Sequence, residues 1–547
     1  MGTARRGKHR ASRTALCVVL AAAVPLLASA GMLVGMVASA DEPAAQPEKA
    51  GAEKSAAPTC PGDDPKAKEV PEPKPAQAVT QHRLAIGGST IEYTATAGTL
   101  ILRNEQDKPT ASVGYVAYTQ DGVRDPGLRP LTFAFNGGPG SSSLWLHMGA
   151  LGPRRIVTVD AAPTPPPPYQ VVDNEDSILD RSDLVMIDPV GTGVSHAVCG
   201  HKDDDFWGVD ADADQVARFI AQYVTDRQRW RSPKFLLGES YGTTRAAAVV
   251  NALQQRWSMA FNGVVLISVA TDLEAVFALP GNDRPYPLFL PSYAAAAWYH
   301  HRIAAGRDLK SLIDEARSFA VGPYLGALMR GDALTEEERD KLAESLHDLT
   351  GLAPRYLKEA RFRVSESMFT QHLLADDGLI VGRLDARFTG SSVDPLAKEI
   401  NYDPLMSAVA PAFVAAFLDY YYRELNAPRE RTFQPFNWQI ARHWKFEHKA
   451  PLSEFPQPFV NTTPDLGYAM TLNPSLRTLI LNGYFDLATP FFGTEYEVAH
   501  LDLPAQLRDH VQMKYYEAGH MMYIHPPSLH KMKADLAAFI DAASKHN

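Results

Sequence analysis

Residues 234–255 read KFLLGESYGTTRAAAVVNALQQ. A short apolar run, Phe235–Leu237, ends in Gly238-Glu239-Ser240-Tyr241-Gly242, and a stretch rich in Ala and Val follows from about Thr243 to Gln255. This order predicts a buried strand, a sharp turn and a helix. Small residues on both sides of the turn let strand and helix approach closely, so Ser240 stands above the carboxyl edge of a sheet.

Working outward, Leu131–Phe135, Leu184–Ile187, Val264–Ile267 and Thr478–Leu481 are further short apolar runs that suit buried parallel strands, and Met513–Tyr516 reads as a final short strand. Between and after them, apolar residues recur at helical spacing, as in Val216, Phe219, Ile220 and Tyr223, or Leu529, Met532, Leu536, Phe539 and Ile540. Arg83–Ile86 and Ser89–Tyr93 flank Gly87-Gly88, a hairpin signal that starts an antiparallel edge. Strands alternating with helices predict an α/β fold with a mostly parallel central sheet. The rhythm breaks between 281 and 455, where helical, aromatic-rich stretches such as Tyr293–His301 and Ala412–Tyr422 predict a largely helical cap insertion. The core is thus expected in two parts, 80–280 and 456–547.

Before the core, five basic residues from Arg5 to Arg13 precede an apolar run from Ala15 to about Ala40. Residues 1–40 therefore read as an export signal, or as a membrane anchor if that segment is retained. Residues 41–79, rich in Ala, Pro, Lys and Glu, read as a disordered linker. Cys60 and Cys199 would outlast signal removal and could pair outside the cytoplasm, or stay as thiols. The net charge of −10, with no basic stripe in the body of the chain, argues against a nucleic-acid partner. No Cys/His spacing suggests zinc, and no cofactor is expected.

A serine hydroxyl needs a base to take its proton. Among the 17 histidines, His520 follows a short strand through the loop Glu517-Ala518-Gly519, which can hold an imidazole over the sheet; His300, His301 and His525 lack that setting. The acid that orients the base should lie between nucleophile and base in the chain. Asp486, after Thr478–Leu481 and the Asn482-Gly483 turn, fits best. Asp272 is the competitor one strand earlier, and Asp188 precedes Ser240 and breaks the order. Asn136-Gly137-Gly138-Pro139-Gly140 follows another strand and offers backbone N–H groups to an oxyanion, as does Tyr241 just after the serine. Ser141-Ser142-Ser143 supplies no Lys-Ser/Thr pair, so a phosphate loop is not expected.

Five segments together resemble the serine carboxypeptidase family of the α/β-hydrolase superfamily: Asn136–Ser143, Asp188–Ser195, Gly238–Gly242, Asn482–Pro490 and Gly519–Met521. The resemblance implies Ser240, Asp486 and His520 as the catalytic triad, and the backbones of Gly138 and Tyr241 as the oxyanion hole. It also implies Asn136 and Glu239 as the residues that bind the substrate's terminal carboxylate. A protonated Glu239 can donate to that carboxylate, whereas an ionised one repels it, so peptide binding should strengthen as pH falls. Eukaryotic members carry a second glutamate where this chain has Ala150, and a cysteine where it has Ser141, which suggests a bacterial-type branch. The expected activity is removal of C-terminal residues from peptides with a free C-terminus. An esterase or acyltransferase with the same triad is the alternative, and an exported binding protein with a dormant site is a third reading. Asn461-Thr462-Thr463 fits a glycosylation acceptor in a host that glycosylates.

Overall fold

The structure, a computed structural model, describes residues 73–545. The expected signal or anchor, and the linker up to residue 72, lie outside the described residues.

The strands in chain order are β1 (Gln77–Ile86), β2 (Ser89–Arg103), β3 (Pro109–Gln120), β4 (Leu131–Phe135), β5 (Arg154–Ile156), β6 (Val171–Asp173) and β7 (Asp183–Ile187). They continue with β8 (His196–Ala197), β9 (Lys234–Glu239), β10 (Gly263–Ile267), β11 (Leu379–Val381), β12 (Thr389–Ser391), β13 (Arg477–Gly483) and β14 (Val511–Tyr516). β1 begins inside the stretch expected to be linker, because Gln77–Val79 already pair with Thr96–Gly98 of β2.

The main sheet runs β1-β2-β3-β7-β4-β9-β10-β13-β14, with β8 added to β3. From β7 to β14 every neighbouring pair is parallel. The β1–β2–β3 meander joins β7 antiparallel. β4, β7, β9 and β10 are buried along their whole length, as continuous apolar strands covered on both faces must be. One face carries the helices Val209–Asp226 and Tyr241–Trp257, with Phe219, Ile220, Val249 and Leu253 in the core. The opposite face is covered by Pro526–Ala543, through Leu529, Met532, Leu536 and Phe539. The cap is largely helical, from Pro285–Tyr299 to Trp438–His443. Part of it does more than cover the sheet edge: Pro404–Asp419 shares the core with β2 and β4 through Val409, Phe413 and Phe417. This segment belongs to Pro404–Glu424, the one helical stretch among the described residues long and apolar enough to cross a membrane, and half of its apolar window is buried in the protein.

The carboxyl ends of β4, β9, β10, β13 and β14 open on one edge, where ligands of open α/β sheets bind.

Candidate active site

Ser240 sits between β9 and the helix Tyr241–Trp257 with φ 60° and ψ −131°, a sparsely populated conformation that costs about 1–3 kcal/mol and is held only by its surroundings. Its N–H donates to Ile267 O at 2.9 Å, tying the turn to β10. A Cβ on Gly238 would run into the Gly242 carbonyl, so the tight strand-to-helix turn needs a glycine there. Among the described residues, Ser240 Oγ makes no hydrogen bond.

Asp486 and His520 meet. His520 Nδ1 and Asp486 Oδ2 are 2.8 Å apart, and both residues are buried. Asp486 also accepts from Ala488 N at 2.7 Å, Thr489 N at 2.9 Å and Thr489 Oγ1 at 2.7 Å. These contacts fix the carboxylate, and its partner is the Nδ1 side of the ring. The His520 carbonyl accepts from Ser268 Oγ at 2.8 Å, one residue beyond the carbonyl that holds Ser240. Burial disfavours the imidazolium, but the Asp486 carboxylate outweighs it and raises the His520 pKa above its ordinary value. Asp272 is not drawn in. It caps a short turn and pairs with Arg284 at 3.0 Å.

The glycine-rich loop after β4 lies against the turn. A Cβ on Gly137 would come within 2.5 Å of both the Tyr241 and the Gly242 nitrogens, so only a glycine lets the two backbones approach. Gly138 has φ +107°. Among the described residues, neither its N–H nor that of Tyr241 has a protein acceptor. The Asp188–Ser195 segment braces this loop. Asp188 Oδ1 accepts from Ser143 N at 2.8 Å, and Ser143 Oγ donates to Ile187 O. Arg245, one turn into the helix after Ser240, donates to Asn136 O at 2.6 Å and pairs with Asp212 at 2.7 Å. That pair is buried and was not foreseen, since an arginine in an Ala/Val helix reads as a surface residue.

Glu239 is 4% exposed. Oε1 accepts from the Tyr523 hydroxyl at 3.2 Å, and Oε2 is buried with no protein partner. Burial raises its pKa to about 7, while His520, the Tyr523 hydroxyl and the Asn136 amide pull the other way. Asn136 is buried beside it, its Oδ1 accepting from Leu146 N at 3.0 Å.

Two cap segments reach the site. The loop between β11 and β12 supports His520: Leu384 O accepts from His520 N at 2.7 Å, and Asp385 Oδ2 accepts from Gly519 N at 3.0 Å. The same loop takes the Leu487 N–H on Arg383 O at 3.0 Å. Residues 434–444 lie along the glycine-rich loop, with Asn437 N donating to Gly140 O at 2.8 Å, and Trp444 packs edge-on to Tyr241. Sequence reading passed over both; the available signal was the paired charge of Asp385 and Arg387 inside the expected helical, aromatic-rich insertion. Among the described residues, no group of three or more His, Cys, Asp or Glu could hold a metal ion. Cys199 is disulfide-bonded.

The arrangement offers a serine hydroxyl at the sheet edge, a histidine paired with a buried carboxylate, two free backbone donors and a buried carboxyl that titrates near neutrality. Residues 104–276, which include the glycine-rich loop and the serine turn, match the family model described as serine carboxypeptidase. By structure the chain is similar to Kex1(delta)p, a prohormone-processing carboxypeptidase from Saccharomyces cerevisiae, at 15% identity and a TM-score of 0.52, over 82% of this chain and 91% of that one. More distant likenesses include proline iminopeptidase of Mycobacterium smegmatis (13% identity, TM-score 0.31, 85% and 99% covered). A carboxyl esterase of Bacillus coagulans stands at a similar distance (12% identity, TM-score 0.35, 82% and 98% covered). No curated protein sequence matches the chain. Residues 104–276 thus carry the sequence pattern of the serine carboxypeptidase family around the serine turn and its supporting loops, and the chain as a whole has the α/β-hydrolase fold.

Proposed function

We propose that the protein is an exported carboxypeptidase that removes C-terminal residues from peptides through an acyl-enzyme. Ser240 Oγ attacks the scissile carbonyl carbon and its proton passes to His520 Nε2. The Gly138 and Tyr241 N–H groups receive the oxyanion. The C–N bond breaks as His520 returns the proton to the departing amine, and water, deprotonated by the same imidazole, then releases the acyl group. Asp486 holds the histidine tautomer, with Nδ1–H toward the carboxylate. The observation that carries this reading is the buried 2.8 Å contact of His520 with Asp486, at the sheet edge where β9 presents Ser240. Glu239 and Asn136 make it a carboxypeptidase, because a protonated Glu239 and an amide can both donate to a terminal carboxylate. Export rests on the basic and apolar N-terminal sequence alone.

Ser240→Ala should lower turnover by about 10⁴-fold or more and abolish labelling by a fluorophosphonate. A free-acid peptide should be cleaved far faster than its C-terminal amide. Equal rates on acid and amide would point instead to an esterase or acyltransferase, and absent labelling of folded protein to a binding role.

A further inference from the structure

Glu239 accepts a side-chain hydrogen bond from the loop that carries His520. Tyr523 lies three residues after His520, in the short turn Met522–Ile524, and is 3% exposed. Its ring lies over Gly149, where a Cβ would collide with ring carbons Cδ2 and Cε2. The next residue, Ala150, is buried and brings no polar side chain. The missing side chain at Gly149 leaves room for the Tyr523 ring, and the hydroxyl reaches Glu239 Oε1 at 3.2 Å.

We propose that Tyr523 is a positioning residue for substrate recognition: its hydroxyl, donated to Glu239 Oε1, turns the carboxyl so that Oε2 meets the terminal carboxylate of a peptide. This deepens the carboxypeptidase reading and rests on it. A carboxyl group has two oxygens and, when neutral, one proton. With Oε1 engaged as acceptor, the proton resides on Oε2, the oxygen that is buried without a protein partner. A bound carboxylate supplies the missing acceptor there. Tyrosine suits this task because burial beside Glu239 keeps its hydroxyl protonated far above neutral pH. It donates at every working pH, whereas a second carboxyl group would lose its proton and add a like charge.

The same bond favours the ionised form of Glu239. The other groups that face Glu239 are His520, which also favours its charge, Asp486, which opposes it, and the Asn136 amide. Losing the Tyr523 hydroxyl therefore moves the Glu239 titration to higher pH.

The test compares kcat/KM for a free-acid peptide with kcat/KM for a blocked ester that has no terminal carboxylate, over pH 4.5–9 as an assay range. Both substrates need His520, so the ratio isolates the Glu239 titration. In the full-length enzyme the ratio should fall as pH rises through about 7. In Tyr523→Phe, which keeps the ring against Gly149, the ratio at low pH should drop about fivefold and its midpoint should rise by roughly 0.5–1 pH unit, as expected for one hydrogen bond. In a Glu239→Gln background the same substitution should move no midpoint, and thermal melting of each variant reads the fold separately. An unchanged midpoint, or an unchanged ratio, in folded Tyr523→Phe overturns the inference alone. Equal cleavage of peptide acid and peptide amide by the unaltered enzyme removes the carboxypeptidase reading and the inference with it.

Discussion

Burial sets the titration of Glu239, and with it a pH-dependent share of stability. Its carboxyl, ordinarily near 4.5, titrates at about 7 in the fold. Between those values the folded state holds a proton that the unfolded chain has released. The stability tied to that proton is therefore complete below 4.5 and lost as pH climbs through 7. Glu239→Gln carries no charge at any pH, so it should raise stability at pH 8 by up to about 3 kcal/mol and leave it unchanged at pH 4. Melting curves at the two pH values check this, and a gain of equal size at both would mean that packing, not charge, is responsible. The peptide-to-ester ratio of that variant should also lose its pH dependence. The sequence made Glu239 visible because it stands beside Ser240 in a short pattern. Tyr523 was not visible: it lies 284 residues away in the chain and sits among Met521, Met522 and Ile524, a run that reads as core. A hydrogen bond between such distant residues leaves no local periodic trace.

At the scale of elements, what the sequence shows is burial. β4, β7, β9, β10 and β13 follow the apolar runs to within a residue or two at each end, because strands covered on both faces must be continuously apolar. Polar residues inside helices were harder to place. Arg245 lies on the helix that begins after Ser240, yet its side chain is 2% exposed and that of Asp212, from the preceding helix, 1%. The pair links two helices, and its spare guanidinium nitrogen holds the Asn136 carbonyl where β4 gives way to the glycine-rich loop. Removing the cation alone strands a buried carboxylate. Arg245→Met should destabilise the fold by about 3–5 kcal/mol, read as a lower urea midpoint at constant slope. Arg245→Met with Asp212→Leu should recover part of that loss but not the placement of Asn136, so free-acid peptide turnover should stay impaired. Full recovery of turnover by the double variant would count against the link from this helix to the loop.

Over the whole molecule, the cap and the sheet cannot be treated as lid and machine. The loop between β11 and β12, far before β13 in the chain, holds the segment that carries His520 by its backbone and the segment after Asp486 by another carbonyl. Asp385 is the centre of this support. It is fully buried, accepts from Gly519 N at 3.0 Å and pairs with Arg387 at 2.7 Å, while Arg387 reaches Asp160 at 3.1 Å. Gly519 has no side chain, and a Cβ there would meet Asp385 and the Leu384 carbonyl, so the loop lies flat against the backbone just before His520. Asp385→Ala would leave the Gly519 N–H without an acceptor and Arg387 with only the partly exposed Asp160. We expect a loss of about 3–5 kcal/mol in stability and, in the folded fraction, a fall in kcat of about 10²-fold from a displaced imidazole. The displacement acts on the base, so peptide and ester should lose turnover in proportion and their ratio should stay flat, unlike in Tyr523→Phe. Urea melts paired with kcat on both substrates distinguish the cases. If stability falls while kcat per folded molecule holds, the cap loop is a strut and His520 is placed by β14 and Asp486 alone.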